Sequence, residues 1–378
     1  MTFPTGLNVG ETIAIQSPVH LSEVLTSASE KNHSVLPFGG GTCLSTGTPT
    51  DHEFIALDMT SISGIDNYVP TDMTASFRAG TSLREVREAL AANGQELPID
   101  LAGDDAGTIG GLVATGFSGP RRFGQGTLKD LIIGCEYVRG DGMIAKAGGM
   151  TVKNVSGFEI SRLLHGSWGS LAVLTRINLK VLPKARVDRT FAWTDSTLES
   201  ALDRQLRLLE TFPGCIALQT RQVDGGFTTA IRFVGRESAM QAYQQEVVDA
   251  EGQPSAVVED DSLWHPQSAS ETQPQVVANN PVIESRALAT KFAELGGFDG
   301  MAISLPTGTV TARIDPATVS VADISNIATG LWMIDGGAAD WKREGFVWGP
   351  DRADQTVAQS VKQQFDPAGI LNRGRLFV

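Results

Sequence analysis

One stretch of this chain holds so many glycines that it constrains the fold more than any other feature. Residues 103–126 contain eight glycines in 24 positions. A glycine inside a helix or strand costs about 0.5–1 kcal/mol relative to alanine, so this run predicts a loop with positive φ angles or close contacts. Gly110 and Gly111, followed by Thr115 and Ser118, would present backbone N–H groups and hydroxyls to a large anionic or heteroaromatic ligand. A tight surface loop without a ligand is the alternative interpretation.

The composition indicates a globular protein and excludes several function classes. The 378 residues are 41% hydrophobic, and this length suffices for two or three domains. With 30 basic and 43 acidic side chains the formal charge is −13, which disfavours binding to nucleic acid or to an anionic membrane surface. The sequence shows neither an apolar run long enough for a membrane span nor a signal-peptide pattern. We therefore expect a cytoplasmic protein without an integral membrane segment.

The cysteines favour a reducing compartment. Cys43, Cys135 and Cys215 lie far apart and are odd in number. This spacing matches neither a disulfide framework nor a zinc site. We expect no metal site in this chain.

The first half of the chain alternates predicted helices with short strands. Apolar residues at helical spacing predict a helix over 21–32. Strands are predicted at 34–38, 54–58, 75–79 and 131–138. The first strand ends in Gly39-Gly40-Gly41-Thr42, a turn that can bring backbone N–H groups against phosphate oxygens. Because this turn fits neither GxGxxG nor a P-loop, the usual dinucleotide fingerprint and an NTPase site are disfavoured.

The second half predicts helices on an antiparallel sheet. Strands are predicted at 190–193, 216–219, 229–234, 301–305 and 310–314, and helices at 198–209 and 238–248. Arg221, Arg232 and Arg313 on these strands are candidates to pair with a substrate carboxylate, although each also fits an ordinary surface or ion-pair arginine. Residues 237–285 contain nine acidic side chains and no Lys or Arg. We interpret this acidic segment as a solvated face, with a basic partner as the alternative.

Five short motifs occur together in a family-specific order. They are Pro37–Thr42, Thr108–Gly111, Lys129-Asp130, Gly140–Gly142 and Gly149–Gly157. In these motifs the chain resembles the FAD-linked oxidases of the vanillyl-alcohol oxidase superfamily, which have a PCMH-type FAD-binding domain. Segments 114–122 and 365–375 make it most similar to the FAD-binding subunits of bacterial glycolate oxidases.

This resemblance implies an α+β fold with FAD in its first domain. A PCMH-type FAD-binding domain of two subdomains would span 1–185, an α+β cap domain 186–345, and a segment returning to the FAD domain 346–378. The residues implied to bind FAD are Phe38, Gly39, Gly40, Gly41, Thr42, Gly110, Gly111, Thr115, Ser118, Gly119 and Val173. We expect the flavin to be non-covalent, because families that tether it have a histidine in the first glycine loop. Gly116 and Arg373 depart from the Asn and Pro usual in the family.

The resemblance also implies the activity of an FAD-dependent oxidoreductase acting on CH–OH donors, with glycolate or another small 2-hydroxy acid as substrate. Residues 303–309 lack the histidine-rich cap segment of many such dehydrogenases, so no catalytic base is identified. We therefore expect activity in a complex with a second FAD subunit and an iron–sulfur subunit, peripheral to the inner membrane. A stand-alone FAD oxidase or dehydrogenase of another hydroxy acid or alcohol, and a non-catalytic FAD-binding or scaffold protein, are the alternatives.

Overall fold

A computed structural model of the chain describes most of its residues. The described ranges are 2–100, 106–150, 159–264, 269–343, 345, 347–350 and 353–376. The start of the glycine-rich stretch and most of the motif Gly149–Gly157 lie outside the described residues. Helices and strands occur in mixed order along the chain, which confirms the predicted α+β fold class.

The N-terminal region, defined here as residues 1–185, contains ten strands and six α-helices within its described part. The strands are β1 (Val9–Ala14), β2 (Ser34–Phe38), β3 (Phe54–Asp58), β4 (Ile65–Val69), β5 (Thr74–Arg78), β6 (Gln95–Glu96), β7 (Ile132–Arg139), β8 (Ile144–Gly148), β9 (Ala172–Lys180) and β10 (Leu182–Pro183). The helices are α1 (Pro18–Glu30), α2 (Leu83–Ala91), α3 (Ile109–Thr115), α4 (Arg122–Gln125), α5 (Leu128–Leu131) and α6 (Ile160–Leu164).

This region contains two larger sheets and two core clusters, one of which draws residues from both sheets. One is a parallel sheet of order β1-β3-β2, and the other is an antiparallel sheet of order β4-β5-β9-β7-β8. Leu21 and Leu25, one turn apart on α1, pack into the core of the parallel sheet with Val35. Leu83 and Leu90 on α2 pack into the core of the antiparallel sheet. The strands β6 and β10 form a separate short pair.

The cap region, residues 186–345, forms one eight-stranded sheet of order β14-β11-β13-β12-β16-β17-β15-β18. Its strands are β11 (Val187–Asp195), β12 (Ala217–Val223), β13 (Gly226–Gly235), β14 (Ala256–Val258), β15 (Gln275–Asn279), β16 (Phe298–Ser304), β17 (Thr309–Ile314) and β18 (Leu331–Asp335). Its helices are α7 (Leu198–Thr211), α8 (Glu237–Glu251), α9 (Val282–Leu295), α10 (Val321–Ile327) and α11 (Ala339–Lys342).

The two faces of the cap sheet differ because side chains alternate along each strand. Val276 and Ile334 share a core with residues of α9 and α10. Their neighbours Gln275 and Asp335 lie on the opposite face, where they are directly paired across β15 and β18. This second face is the one turned toward the N-terminal region.

Arg122 of α4 connects the N-terminal region to the cap sheet. Its Nη2 donates to Asn279 Oδ1 at 2.9 Å, to the Thr307 carbonyl at 2.8 Å and to Thr309 Oγ1 at 2.7 Å. Gly124 in the same helix lets the two parts approach, since a Cβ there would lie 2.6 Å from Ile216 Cα. The cap is therefore held against the glycine-rich stretch by a guanidinium bonded to neutral oxygens.

The chain end returns to the parallel sheet after α12 (Gln355–Phe365). Val35 N donates to the Ile370 carbonyl at 2.9 Å, and Asn372 N donates to the Val35 carbonyl at 2.9 Å. Asp366 is 1% exposed and accepts from Lys362 Nζ at 2.7 Å. These contacts attach the C-terminal segment beside β2, while the predicted domain boundaries at 185 and 345 stay a prediction.

Replacing Arg122 with methionine should loosen the cap. The variant keeps much of the side-chain volume but removes the hydrogen bonds to Asn279, Thr307 and Thr309, so we expect a loss of about 1–3 kcal/mol in the free energy of unfolding. Arg313→Met is the matched control, because Arg313 lies on the same sheet face in a partly exposed pair with Asp299. Urea unfolding of both variants checks this; equal losses would contradict the role given to Arg122.

Candidate functional site

A cleft of about 400 Å³ opens where the three parts of the chain meet. Residues between 36 and 46 and between 106 and 117 form its N-terminal walls. The cap region contributes Gln275 and Asp335, and the C-terminal segment contributes Asn372 and Arg375. The cleft is thus assembled from segments distant in sequence.

The glycine turn after β2 passes against residues 106–108 without room for side chains. A Cβ on Gly39 would overlap the side chain of Thr108, and a Cβ on Gly40 would overlap the carbonyl oxygen of Ala106. Gly41 adopts a φ of 74°, in the left-handed region that favours glycine. All three glycines line the cleft, so backbone forms much of this wall.

Gly110 and Gly111 lie in helix α3, which corrects the expectation of a loop at this point. Thr108 caps the helix by accepting from Gly111 N at 3.2 Å, and Gly110 N donates to the Ala79 carbonyl at 2.8 Å. Both N–H groups therefore have partners within the protein, and the expected presentation of free N–H groups to a ligand is wrong for this pair. The helix forms because the Thr108 cap compensates the low helix propensity of glycine.

The two glycines have different surroundings. A Cβ at Gly110 would lie 2.7 Å from the Ala79 carbonyl oxygen and 2.8 Å from Ala79 Cβ. A Cβ at Gly111 would meet only Thr108 Oγ1 within 4 Å, at 3.3 Å, and Gly111 lines the cleft. Gly110 thus permits close packing inside the protein, whereas Gly111 leaves space in the cleft.

The structure brings seven of the eleven predicted cofactor residues to the cleft wall. These are Phe38, Gly39, Gly40, Gly41, Thr42, Gly111 and Thr115. Gly110 packs on Ala79, and Ser118 lies 3.4 Å from Arg122 Nη1. Gly119 contacts Asp100, and Val173 is buried in the core beneath the parallel sheet. Direct contact with a cofactor stays a prediction for all eleven.

Sequence reasoning missed the C-terminal contribution to the cleft. Asn372 adopts a φ of 50° and donates from Nδ2 to the Trp168 carbonyl at 2.9 Å. Trp168 in turn packs edge-to-face on Trp348 with 5.3 Å between ring centroids. The family-like ending at 365–375 was a signal for these residues, but only the fold shows that Asn372 and Arg375 reach the cleft.

Charged side chains hold the segment that follows the glycine turn. Arg375 Nη2 donates to the carbonyls of Leu44, at 2.7 Å, and Thr46. Lys342 Nζ donates to the Ser45 carbonyl, and the Thr46 hydroxyl donates to Asp335 Oδ1. Residues 44–46 are therefore bound by both the cap region and the C-terminal segment.

Burial sets the protonation behaviour of these groups. Burial lowers the pKa of Arg375 to about 10, and it lowers the pKa of Lys342 to about 8 with a further contribution from the charge of Arg375. Burial raises the pKa of Cys43 to about 11, and the nearby carboxylate of Asp335 adds to the shift. At neutral pH the two cations remain charged and the Cys43 thiol is neutral.

The three predicted cap arginines differ in their partners. Arg232 pairs with Asp188 and Asp261, and Arg313 pairs with Asp299. Arg221 instead donates to the Leu263 carbonyl at 3.2 Å, and burial lowers its pKa. The cleft wall contains none of the three. Their role in binding a carboxylate stays a prediction.

Asp100 is a buried carboxylate beside the predicted site residue Gly119. It is 7% exposed, and Oδ2 accepts from Arg121 N at 2.8 Å. Burial raises its pKa to about 6, and the contacts with Arg121 only partly offset the shift. This carboxylate therefore costs folding free energy at neutral pH.

The described part of the chain contains no group of three or more His, Cys, Asp or Glu side chains able to hold a metal ion. None of its helices is both long enough and apolar enough to cross a membrane.

Comparison with known proteins identifies the N-terminal region. Residues 12–148 match the family model for the FAD binding domain. Over 368 residues the chain is 28% identical to glycolate oxidase subunit GlcE of Escherichia coli strain K12, covering 94% of this chain and 96% of that protein. The match to D-lactate dehydrogenase of Archaeoglobus fulgidus is 34% identical but covers 48% of this chain and 41% of the enzyme.

Glycolate oxidase subunit GlcD of Bacillus subtilis is 31% identical over 50% of this chain and 40% of its own length. Among solved structures, alkyldihydroxyacetonephosphate synthase matches with a TM-score of 0.66 and 14% identity, covering 96% of this chain and 76% of that chain. At this identity the likeness shows the fold alone. The predicted recognition and fold class are confirmed.

The cleft residues fit FAD. Glycines 39–41 give a wall of backbone, Gly111 leaves open space at the cleft, and Thr42 adds a hydroxyl. Arg375 supplies a positive charge for an anionic cofactor. The glycine turn and α3 would hold the cofactor between them.

Gly111→Val should fold but bind little flavin. The added side chain has open space on the protein side and extends into the cleft, so we expect FAD binding to weaken by roughly 1–3 kcal/mol, on the scale of a strained contact. Gly110→Val is the matched control, which should lose stability because its Cβ meets Ala79. The ratio of flavin to protein absorbance and the thermal midpoints measure both. A folded Gly111→Val protein with wild-type flavin content would remove Gly111 from the site.

Asp100→Asn should stabilise the protein increasingly as the pH rises. The wild-type carboxyl has a folded pKa of about 6, above its unfolded value, so its stabilising contribution is present below about pH 4 and is lost as the pH rises through 6. The advantage of the variant should grow by roughly 1 kcal/mol between pH 5.0 and 7.5. Unfolding at both pH values tests this.

Asp130→Asn serves as the control of opposite sign. Hydrogen bonds from Thr127 lower the pKa of Asp130, so this carboxylate stabilises the fold above its unfolded pKa. The loss in free energy of unfolding caused by Asp130→Asn should therefore be larger at pH 7.5 than at pH 5.0. An Asp100 variant with the same pH dependence as Asp130→Asn would refute the assignment.

Proposed function

We propose that this chain, a member of the FAD-linked oxidases of the vanillyl-alcohol oxidase superfamily, is the FAD-binding subunit of a complex that oxidises glycolate to glyoxylate. The observation that carries the proposal is the cleft, whose glycine-built wall lies inside the matched FAD-binding domain. The match to a glycolate oxidase subunit runs along nearly the whole of both chains. The chain spans less than half the length of the D-lactate and D-2-hydroxyglutarate dehydrogenases it also matches.

The reaction class has independent support. The relatives are named as oxidase subunits or dehydrogenases of small 2-hydroxy acids, which confirms an FAD-dependent oxidoreductase acting on CH–OH donors. Which hydroxy acid this chain serves is part of the proposal, with glycolate favoured by the match that covers both chains.

Bound FAD supplies a hydride acceptor for the carbon that bears the hydroxyl group. The chain must then provide binding, orientation and a site for the hydroxyl proton. Among the described residues lining the cleft, Asp335 is the one carboxylate, and no histidine is present. Its Oδ1 accepts from Thr46 and its Oδ2 accepts from Gln275 Nε2 at 3.0 Å, which fixes the carboxylate in the wall. We assign proton uptake to Oδ2 of Asp335.

Non-covalent attachment of the flavin is a part of the proposal supported by the cleft residues. Cys43 is the nucleophile nearest the glycine turn, and burial raises its pKa to about 11. A neutral thiol is a poor nucleophile. Denaturation with acid should therefore release the flavin into the supernatant.

We further propose partners that carry electrons away. Cys43, Cys135 and Cys215 are free and separate, too few for an iron–sulfur cluster. The name of the GlcE relative as a subunit supports a multi-subunit complex. In this proposal a second FAD subunit and an iron–sulfur subunit would complete the pathway. Such a complex would be cytoplasmic and peripheral to the inner membrane.

Anaerobic titration of the purified yellow protein tests the proposal. Addition of glycolate should bleach the flavin absorbance, with D-lactate and an alcohol as comparison substrates. Bleaching by the alcohol but by neither acid would favour a stand-alone enzyme of another class. A holoprotein that bleaches with none of them, alone or with its co-purified partners, would contradict the proposed activity.

Asp335→Asn separates cofactor binding from chemistry. The amide keeps the shape and the hydrogen bond from Thr46 but cannot take up a proton at neutral pH. We expect near wild-type flavin content and a rate of bleaching lower by about 100-fold or more, the scale of general base catalysis. Stopped-flow absorbance measures the rate. An unchanged rate would exclude Asp335 as the proton acceptor.

A further inference from the structure

Arg375 is a buried cation in the cleft wall without an anionic partner. Arg375 is 7% exposed and lines the cleft. Within the described residues, its hydrogen bonds run from Nη2 to the carbonyls of Leu44 and Thr46, and no carboxylate forms an ion pair with it. The Nε and Nη1 donors remain available to a ligand.

Arg375 lies beside a second buried cation. Lys342 is 5% exposed. Burial lowers the pKa of Lys342, and the nearby positive charge of Arg375 lowers it further. Asp335 is the carboxylate nearest this pair, and its oxygens accept from Thr46 and Gln275. Glu271 also acts on Lys342 with a negative charge, but within the described residues neither carboxylate forms an ion pair with Arg375.

A purely structural role does not account for a charge at this position. An amide side chain could bind the carbonyls of Leu44 and Thr46 without the cost of burying a guanidinium. Burial of an unpaired cation is unfavourable by several kcal/mol unless an anion compensates it. Guanidinium groups also match the geometry of carboxylates and phosphates, which they bind with two parallel hydrogen bonds.

We propose that Arg375 forms an oxyanion subsite in the cleft, where it binds either a phosphate of FAD or the carboxylate of the 2-hydroxy acid. This inference rests on the proposed function, because both oxyanions belong to its cofactor and substrate. Lys342 acts behind Arg375 as a second source of positive charge. The carbonyls of Leu44 and Thr46 hold Nη2, which leaves Nε and Nη1 as the donors for the oxyanion.

Binding measurements on Arg375→Gln distinguish the two sources. If the anion is a phosphate, apoprotein affinity for FAD and ADP should fall by about tenfold or more, while affinity for riboflavin stays within twofold of wild type. If the anion is the substrate carboxylate, FAD affinity should persist while oxalate perturbs the holoprotein flavin spectrum with an affinity about tenfold weaker. Wild-type affinity for all four compounds would overturn the inference.

Three further variants separate charge from loop structure. Thr46→Val removes a contact of the same loop without changing charge, so equal losses in this variant and Arg375→Gln would overturn the subsite. Arg343 follows Lys342 in the sequence and pairs with Asp51. Arg343→Gln removes this positive charge and should leave the affinities for all four compounds unchanged. Arg375→Lys keeps the charge but loses the paired donors of the guanidinium. Its affinity for the oxyanion should fall by less than that of Arg375→Gln.

The lysine variant also decides the case if Arg375→Gln fails to fold. Wild-type affinities in a folded Arg375→Lys protein would then overturn the inference. Failure of the proposed function is separately visible, because a wild-type protein that binds no FAD would refute both proposals. A wild-type protein that binds FAD, together with an unaffected Arg375→Gln variant, would refute the Arg375 subsite alone.

Discussion

The cleft depends on a close backbone contact between the glycine turn after β2 and residues 106–108. Gly39 and Gly40 pass so near Thr108 and Ala106 that neither position accepts a Cβ. The same strip is fixed on its other side, where Leu83 N donates to the Gly107 carbonyl and Ile109 N donates to the Thr81 carbonyl. This contact adds to the shared core of the two sheets, in which Val138 and Val173 of the antiparallel sheet pack with Val35 of the parallel sheet.

Cations bonded to neutral oxygens connect the remaining parts of the molecule. Arg122 joins the N-terminal region to the cap through Asn279 and Thr309, while Lys342 and Arg375 hold the carbonyls of residues 44–46. A guanidinium satisfied by carbonyl and hydroxyl groups keeps its charge. Arg122 lies between the two regions, whereas Arg375 lines the cleft, where its charge can serve binding.

Much of the fold and part of the site could be predicted from the chain alone. Helix α1, five of the eight cap strands and the glycine turn follow from local patterns with clear physical causes. Gly110 and Gly111 show where such reasoning stops. As neighbours in sequence they look equivalent, but one packs on Ala79 and the other faces the cleft. Gly111 N bonds to the capping Thr108 three residues earlier, whereas Gly110 N bonds to Ala79, a partner that no local pattern reveals.

The sequence by itself determined the α+β class, the turn at residues 39–41 and the resemblance to FAD-linked oxidases, because periodicity, glycine content and motif order are local properties. Tertiary structure alone decided that Asp335 and Arg375 reach the cleft. Asp335 is placed by its register opposite Gln275, and Arg375 by the return of the C-terminal segment to β2. Both placements depend on pairing between segments far apart in the chain, which neighbouring residues do not encode.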